Sequence, residues 1–118
     1  MSRAQQQQIR ELYAAFNRRD MDALLAAMAE DVHWPNGWEG GWLRGRRQVR
    51  EYWDRQWRSI DPSVEPIDVV EQPDGSVAVR VHQVVREKDG TVIADDEVVH
   101  VYRFGGDLIA EMAIEGHH

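Results

Sequence analysis

No cysteine occurs in the 118-residue chain, so disulfides, thiolate nucleophiles and thiolate metal sites are excluded. No apolar run approaches the roughly 18–20 residues that cross a bilayer. The sequence starts Met1-Ser2-Arg3-Ala4 and then Gln5 to Gln8, without the hydrophobic stretch of a signal peptide. A cytoplasmic protein with no membrane partner is expected. Basic residues are scarce, 14 Lys and Arg against 21 Asp and Glu, for a formal charge of −7. That balance argues against a nucleic-acid partner, which needs a clustered basic surface. The local stretch of Arg44, Arg46, Arg47 and Arg50 reads as the start and exposed face of a helix. Gly37, Gly40 and Gly41 lack the strand-turn-helix setting of a phosphate-binding loop. His33, His82 and His100 have no i, i+4 spacing, so no metal is expected. His117 and His118 follow Gly116 and read as a tail or tag remnant over 116–118.

What is present is ordinary for one globular domain over 1–118, with 42% hydrophobic and 30% charged residues. Ile9, Leu12, Tyr13 and Phe16 form one apolar stripe, which predicts a helix over 3–18. Asp20 can cap a second helix over 21–29. A short strand at 32–34 leads into a Gly- and Trp-rich loop. A third helix is expected over 46–59, with Val49, Tyr52, Trp53, Gln56 and Trp57 inward, ended by Asp61-Pro62. Four strands follow at about 64–72, 76–87, 91–104 and 107–115. Helices first and an antiparallel meander afterwards make an α+β fold, with the helices on one face of a curved sheet.

The turn dipeptides predict the register. If Gly105-Gly106 is a two-residue loop, His100 faces Glu111, Tyr102 faces Ile109 and Val98 faces Ala113. With Asp89-Gly90 as the other loop, Val79 lies beside His100, Val81 beside Val98 and Val77 beside Tyr102. Side chains alternate with period two, so one face carries Val79, Val81, Val98, His100, Tyr102, Ile109 and Ala113, interrupted by Asp96 and Glu111. Two readings of His100 and Glu111 are open. Either the carboxylate orients the imidazole for proton transfer, or the pair satisfies itself and anchors the sheet. Asp96, opposite Glu115 on the same face, is a further candidate nearer a rim; both carboxylates are solvated or hold a cation between them.

Five tryptophans stand out. Trp34, Trp38 and Trp42 lie before the third helix; Trp53 and Trp57 lie on it, with Tyr52 beside them. Trp34 and Trp38 are expected to wall or cover a cavity for a flat or greasy ligand. Trp53 and Trp57, at i and i+4, read either as core packing or as part of the pocket wall. Asn36 either donates to a substrate oxygen or is a turn residue after Pro35.

Four segments together resemble the nuclear transport factor 2-like superfamily, nearest its SnoaL-like polyketide cyclases and ketosteroid isomerases. They are Ala-Ala-Phe-Asn-Arg-Arg-Asp (14–20), Ala-Glu-Asp-Val-His-Trp-Pro (29–35), the Gly45-Arg-Arg-Gln-Val-Arg helix start, and Val-Tyr-Arg-Phe-Gly-Gly-Asp-Leu-Ile (101–109). The resemblance implies a cone: a curved antiparallel sheet packed on three N-terminal helices, enclosing an apolar cavity, usually in a homodimer, here through the outer sheet face. It puts His100 where the isomerases keep a buried aspartic acid and some cyclases a pocket histidine. Leu12 falls at the isomerases' oxyanion tyrosine, Asn36 near their proton-shuttling aspartate, and Ala113 at the cyclases' acid. Val98, His100 and Ala113 do not supply the Asp-Arg-Asp set of limonene epoxide hydrolases, so none of these chemistries transfers intact. The expected function is cofactor-independent acid/base catalysis of isomerase, cyclase, dehydratase or hydrolase type on a small apolar ligand. The alternative is a non-catalytic binding module of the same fold.

Overall fold

The computed structural model describes residues 3–115; Gly116, His117 and His118 lie outside the described residues. Helix α1 (Arg3–Asn17) buries Ile9, Leu12, Tyr13 and Ala15 on the face its stripe marks. At its end the Asn17 amide donates to Val64 O at 2.7 Å and accepts from Val64 N at 2.9 Å. One side chain thus stands in for a neighbouring strand and fastens α1 to the sheet edge. Helix α2 (Met21–Ala26) starts at Asp20, whose carboxylate accepts from Ala23 N at 3.2 Å. Strand β1 (Met28–Pro35) is longer than the spacing predicts, and β2 (Trp42–Arg44) lies where the sequence predicts loop. Helix α3 (Gly45–Ser59) begins at a glycine with φ of 85°, where a Cβ would sit 3.3 Å from Glu30 O.

The remaining strands are β3 (Ile60–Glu71), β4 (Val77–Glu87), β5 (Val92–Gly105) and β6 (Leu108–Glu115). They join β1 and β2 in one curved, open six-stranded sheet of order β2-β1-β6-β5-β4-β3. The architecture is the expected α+β one, but the second helix stops at Ala26 instead of reaching 29, giving way to β1 at Met28, and β1 runs parallel to β6. No helix among the described residues is long and apolar enough to cross a membrane.

The β4/β5 register is the expected one, Val77 with Tyr102, Val79 with His100 and Val81 with Val98. The β5/β6 register is not. Gly105 pairs with Leu108, so the loop is Gly106-Asp107, and a bulge follows between Arg103 and Phe104. Only Gly106 has positive φ, 65°, which suits a glycine-first type II′ turn; type I′ needs positive φ at both positions. Loop and bulge together displace the pairing by three residues, so His100 meets Ile114, Tyr102 meets Met112 and Val101 meets Ala113. Beyond the bulge this odd displacement turns the β6 side chains to the other face, whereas Ile109, before it and opposite Phe104, stays inward. Met112 and Ile114 therefore point inward, and Glu111, Ala113 and Glu115 outward.

Candidate functional site

A partly open cavity of about 140 Å³ lies between α1, α3 and the inner sheet face. Leu12, Tyr13 and Phe16 of α1 line it, with Trp34 of β1, and Tyr52, Trp53 and Gln56 of α3. The sheet contributes Val64, Gln83, Val98, His100, Tyr102, Met112 and Ile114. An apolar cavity of roughly 150 Å³ holds a benzene. The enclosed space therefore takes one six-membered ring, and a larger ligand must extend through the mouth.

A hydrogen-bonded series of polar side chains is built into this wall. Tyr13 Oη lies 2.8 Å from His100 Nδ1 and 2.7 Å from Tyr102 Oη. The Tyr13 and His100 rings are nearly parallel, at 10°, and Tyr102 stands edge-on to both. Tyr13 is presented by the α1 stripe; His100 and Tyr102 share a face because they are two residues apart on β5. All three are buried, His100 being the most exposed at 7%. Burial brings His100 down to about 4. It also raises both tyrosines, Tyr13 further through the neighbouring Tyr102. At neutral pH the triad is uncharged, an imidazole and two phenols with every proton in place. With Nδ1 committed to Tyr13, Nε2 is the ring nitrogen left for a ligand.

Among the expected pocket residues, Trp34, Tyr52, Trp53, Val98, His100 and Tyr102 line the cavity. Val79, Val81 and Ile109 have no exposed surface and pack in the core beyond its walls. Trp38 is 40% exposed and stands outside the wall. The cause is Asn36, which is a turn residue: its carbonyl accepts from Trp38 N and Glu39 N at 3.3 and 2.7 Å, and its amide donates to Glu39 at 2.9 Å. Glu39 then reaches Arg55 at 2.8 Å, tying this loop to α3.

Glu111 is not beside His100. The altered register puts it on the outer face, 3.3 Å from His33 Nδ1 and 3.7 Å from Arg103, and Ala113 goes outward with it. Asp96 keeps its inward register opposite Gln83, and one of its carboxylate oxygens is buried without a partner. It does not line the cavity, and Glu115 pairs with Val99 rather than facing it. His33 stacks on Trp42 at 4.3 Å, and His82 pairs with Asp95 at 2.7 Å. No group of three or more potential metal ligands occurs among the described residues. Glu111→Gln is expected to cost less than about 1 kcal/mol, as half-exposed ion pairs do, and to leave the His100 imidazole NMR signals in place. A displaced His100 signal would return Glu111 to the cavity.

Sequence reasoning missed Tyr13 as a site residue. It sits on the buried stripe of α1, where a phenol must find a hydrogen-bond partner, and that requirement was the available signal. Leu12, at the position the resemblance gave to an oxyanion tyrosine, supplies only apolar wall.

Comparison with known proteins agrees with this geometry. A 1.30 Å crystal structure of an NTF2-like protein of unknown function from Burkholderia pseudomallei superposes with a TM-score of 0.83 at 28% identity, covering 98% of this chain and 91% of that one. TerC, co-crystallised with polyporic acid, gives 0.81 at 25% identity over 95% and 90% of the two chains. A Mycobacterium tuberculosis protein in complex with estradiol-17β-hemisuccinate gives 0.82 at 17% identity over 97% and 94%, a likeness of fold alone. No curated protein matches by sequence. The sequence pattern of the SnoaL-like domain matches residues 9–112, a span that includes all three residues of the buried triad, and the chain belongs to that family.

Proposed function

We propose that the protein is an acid/base enzyme that needs no bound cofactor and acts on a small, mostly apolar ring compound carrying an oxygen function. The ring occupies the cavity and the oxygen meets His100 Nε2. One observation carries the reading: three buried polar side chains, hydrogen-bonded in series, are set into a cavity wall whose other polar members are Tyr52, Gln56 and Gln83. A neutral imidazole flanked by phenols can take up or deliver a proton next to a carbonyl or hydroxyl, the step that isomerases, cyclases and dehydratases share. A positioned group of this kind contributes ~10²–10⁴-fold in rate. The fold accommodates ring ligands, since the mycobacterial neighbour holds a steroid ester.

The second reading is a non-catalytic binding module. It is favoured by the depressed proton affinity of His100, about 4, which makes the imidazole a good hydrogen-bonding group but a weak base at neutral pH. Cyclohexanone in D₂O separates the two. Binding is followed by the fluorescence of Trp34 and Trp53, and catalysis by α-hydrogen exchange in the ketone's NMR spectrum. Accelerated exchange that His100→Ala removes supports the enzyme. Quenching without exchange selects the binding module, and neither response refutes a ring site.

A further inference from the structure

Tyr13 has one hydroxyl proton and two neighbours within hydrogen-bond distance, at 2.8 and 2.7 Å. It can donate to only one of them. The series therefore has two coherent polarities. In the first, Tyr102 donates to Tyr13 and Tyr13 donates to His100 Nδ1, which leaves Nε2–H as a donor toward the cavity. In the second, Nδ1–H donates to Tyr13 and Tyr13 donates to Tyr102. Nε2 is then an acceptor, and the Tyr102 proton needs a partner of its own. Without a ligand, the first arrangement strands one group and the second strands two, so the first is the resting state.

We propose that Tyr13 makes the polarity of this site reversible, so that the same cavity holds a ring carbonyl against Nε2–H and, after the series flips, a ring hydroxyl against bare Nε2. The inference rests on the proposed ring site and adds the property that sets its ligand range. A carbonyl accepts from Nε2–H in the resting state. A phenol or enol donates to Nε2 in the flipped state, and its oxygen is the acceptor for the Tyr102 proton. A ketone that binds instead in the flipped polarity, with the Tyr102 proton on its carbonyl oxygen and bare Nε2 facing its α-carbon, has a neutral route to the enol that ends in the resting polarity. Nε2 takes a proton from the α-carbon and Nδ1 passes its proton to Tyr13 Oη. Tyr13 then passes its own to Tyr102 Oη, and Tyr102 delivers its own to the carbonyl oxygen. The C–H bond breaks, an O–H bond forms, each tyrosine ends with one proton, and the imidazole has changed tautomer without acquiring charge.

Tyr102→Phe tests the coupling at a residue that does not touch His100 Nε2. In the resting polarity the variant keeps the Tyr13-to-Nδ1 bond. In the flipped polarity it strands the Tyr13 proton. Cyclohexanone affinity is therefore expected to change less than about threefold, and phenol affinity to fall at least about tenfold, the loss of one buried hydrogen bond. In ¹⁵N spectra of the full chain, His100 Nε2 should carry the proton in the free and cyclohexanone-bound protein and lose it to Nδ1 with phenol. A merely structural Tyr102 would weaken both probes equally, and a proton on Nε2 in both complexes would overturn the proposal. If neither probe binds, the ring-site reading fails first. The free spectrum still decides the polarity, because a proton on Nδ1 in the resting protein overturns the proposed resting state. Should Tyr102→Phe fold poorly, the ¹⁵N spectra of the wild-type protein, free and with each probe, decide the proposal by themselves.

Discussion

Acidification from pH 6.5 to pH 4 is expected to remove about 3 kcal/mol of folding stability through one side chain, His100. Its imidazole titrates near 6.5 in an open chain and at about 4 in the fold, where burial disfavours the cation. Above 6.5 both states are neutral and the full stability is present. Between the two values the unfolded chain binds a proton that the folded protein refuses, so stability falls with pH. Tyr13 and Tyr102, the polar groups bonded in series with it, hold their own protons throughout. His82 acts in the opposite sense: Asp95 raises it, so its stabilisation is present in acid and lost on raising the pH. The contrast with His100→Gln isolates the effect. Urea unfolding at pH 7.5 and pH 4 should show the wild type losing about 3 kcal/mol more than the variant. Equal losses would mean that the folded protein tolerates a charged imidazole at that place.

Trp53→Ala is expected to cost ~3–5 kcal/mol, the usual loss for truncating a buried aromatic. The melting temperature should fall on the order of 10–20 °C. The indole is 4% exposed, meets Trp34 and Phe16 edge-on at 5.5 and 5.7 Å, and stacks on Trp57 at 5.9 Å. Removing it opens the cavity wall and takes away a partner from three other rings. Trp38→Ala is the control, since that indole stands outside the wall, and it should cost under about 1 kcal/mol. Similar melting temperatures for the two variants would show that the cluster around Trp53 contributes little to the fold.

Most of the architecture was legible because it depends on periodicity. The stripe of Ile9, Leu12, Tyr13 and Phe16 and the alternation along β4 and β5 specify which faces turn inward, and they place His100 and Tyr102 correctly. The β5/β6 pairing was not legible, because Gly105-Gly106-Asp107 offers two overlapping two-residue loops and composition alone does not choose. A bulge beside Phe104 leaves no mark in the sequence either. The error had a sharp consequence: an odd slip exchanges Glu111 and Ala113 for Met112 and Ile114, and the partner of His100 changes from a carboxylate to a phenol on another element. Such a partner, 87 residues away, depends on how α1 lies across the sheet, which no local pattern encodes. Trp38 was misplaced for a related reason, since Asn36 could be read as a ligand contact or as the turn that directs the indole outward.

The parallel pairing of β1 with β6 sets the order in which the protein can assemble. Strands β3 to β6 join neighbours through short turns, whereas β1 has only the three-residue β2 at its side until β6 exists. Met28 must then find Ile109 across most of the chain. Contacts of such separation form late because the intervening loop has to close first. During that interval the β6 edge stays open to strands of other molecules. Refolding yield should therefore fall with protein concentration. Tyr13 reaches His100 only when α1 is also in place, so the triad forms late, and a ring probe that binds there reports the last event of folding rather than the first collapse.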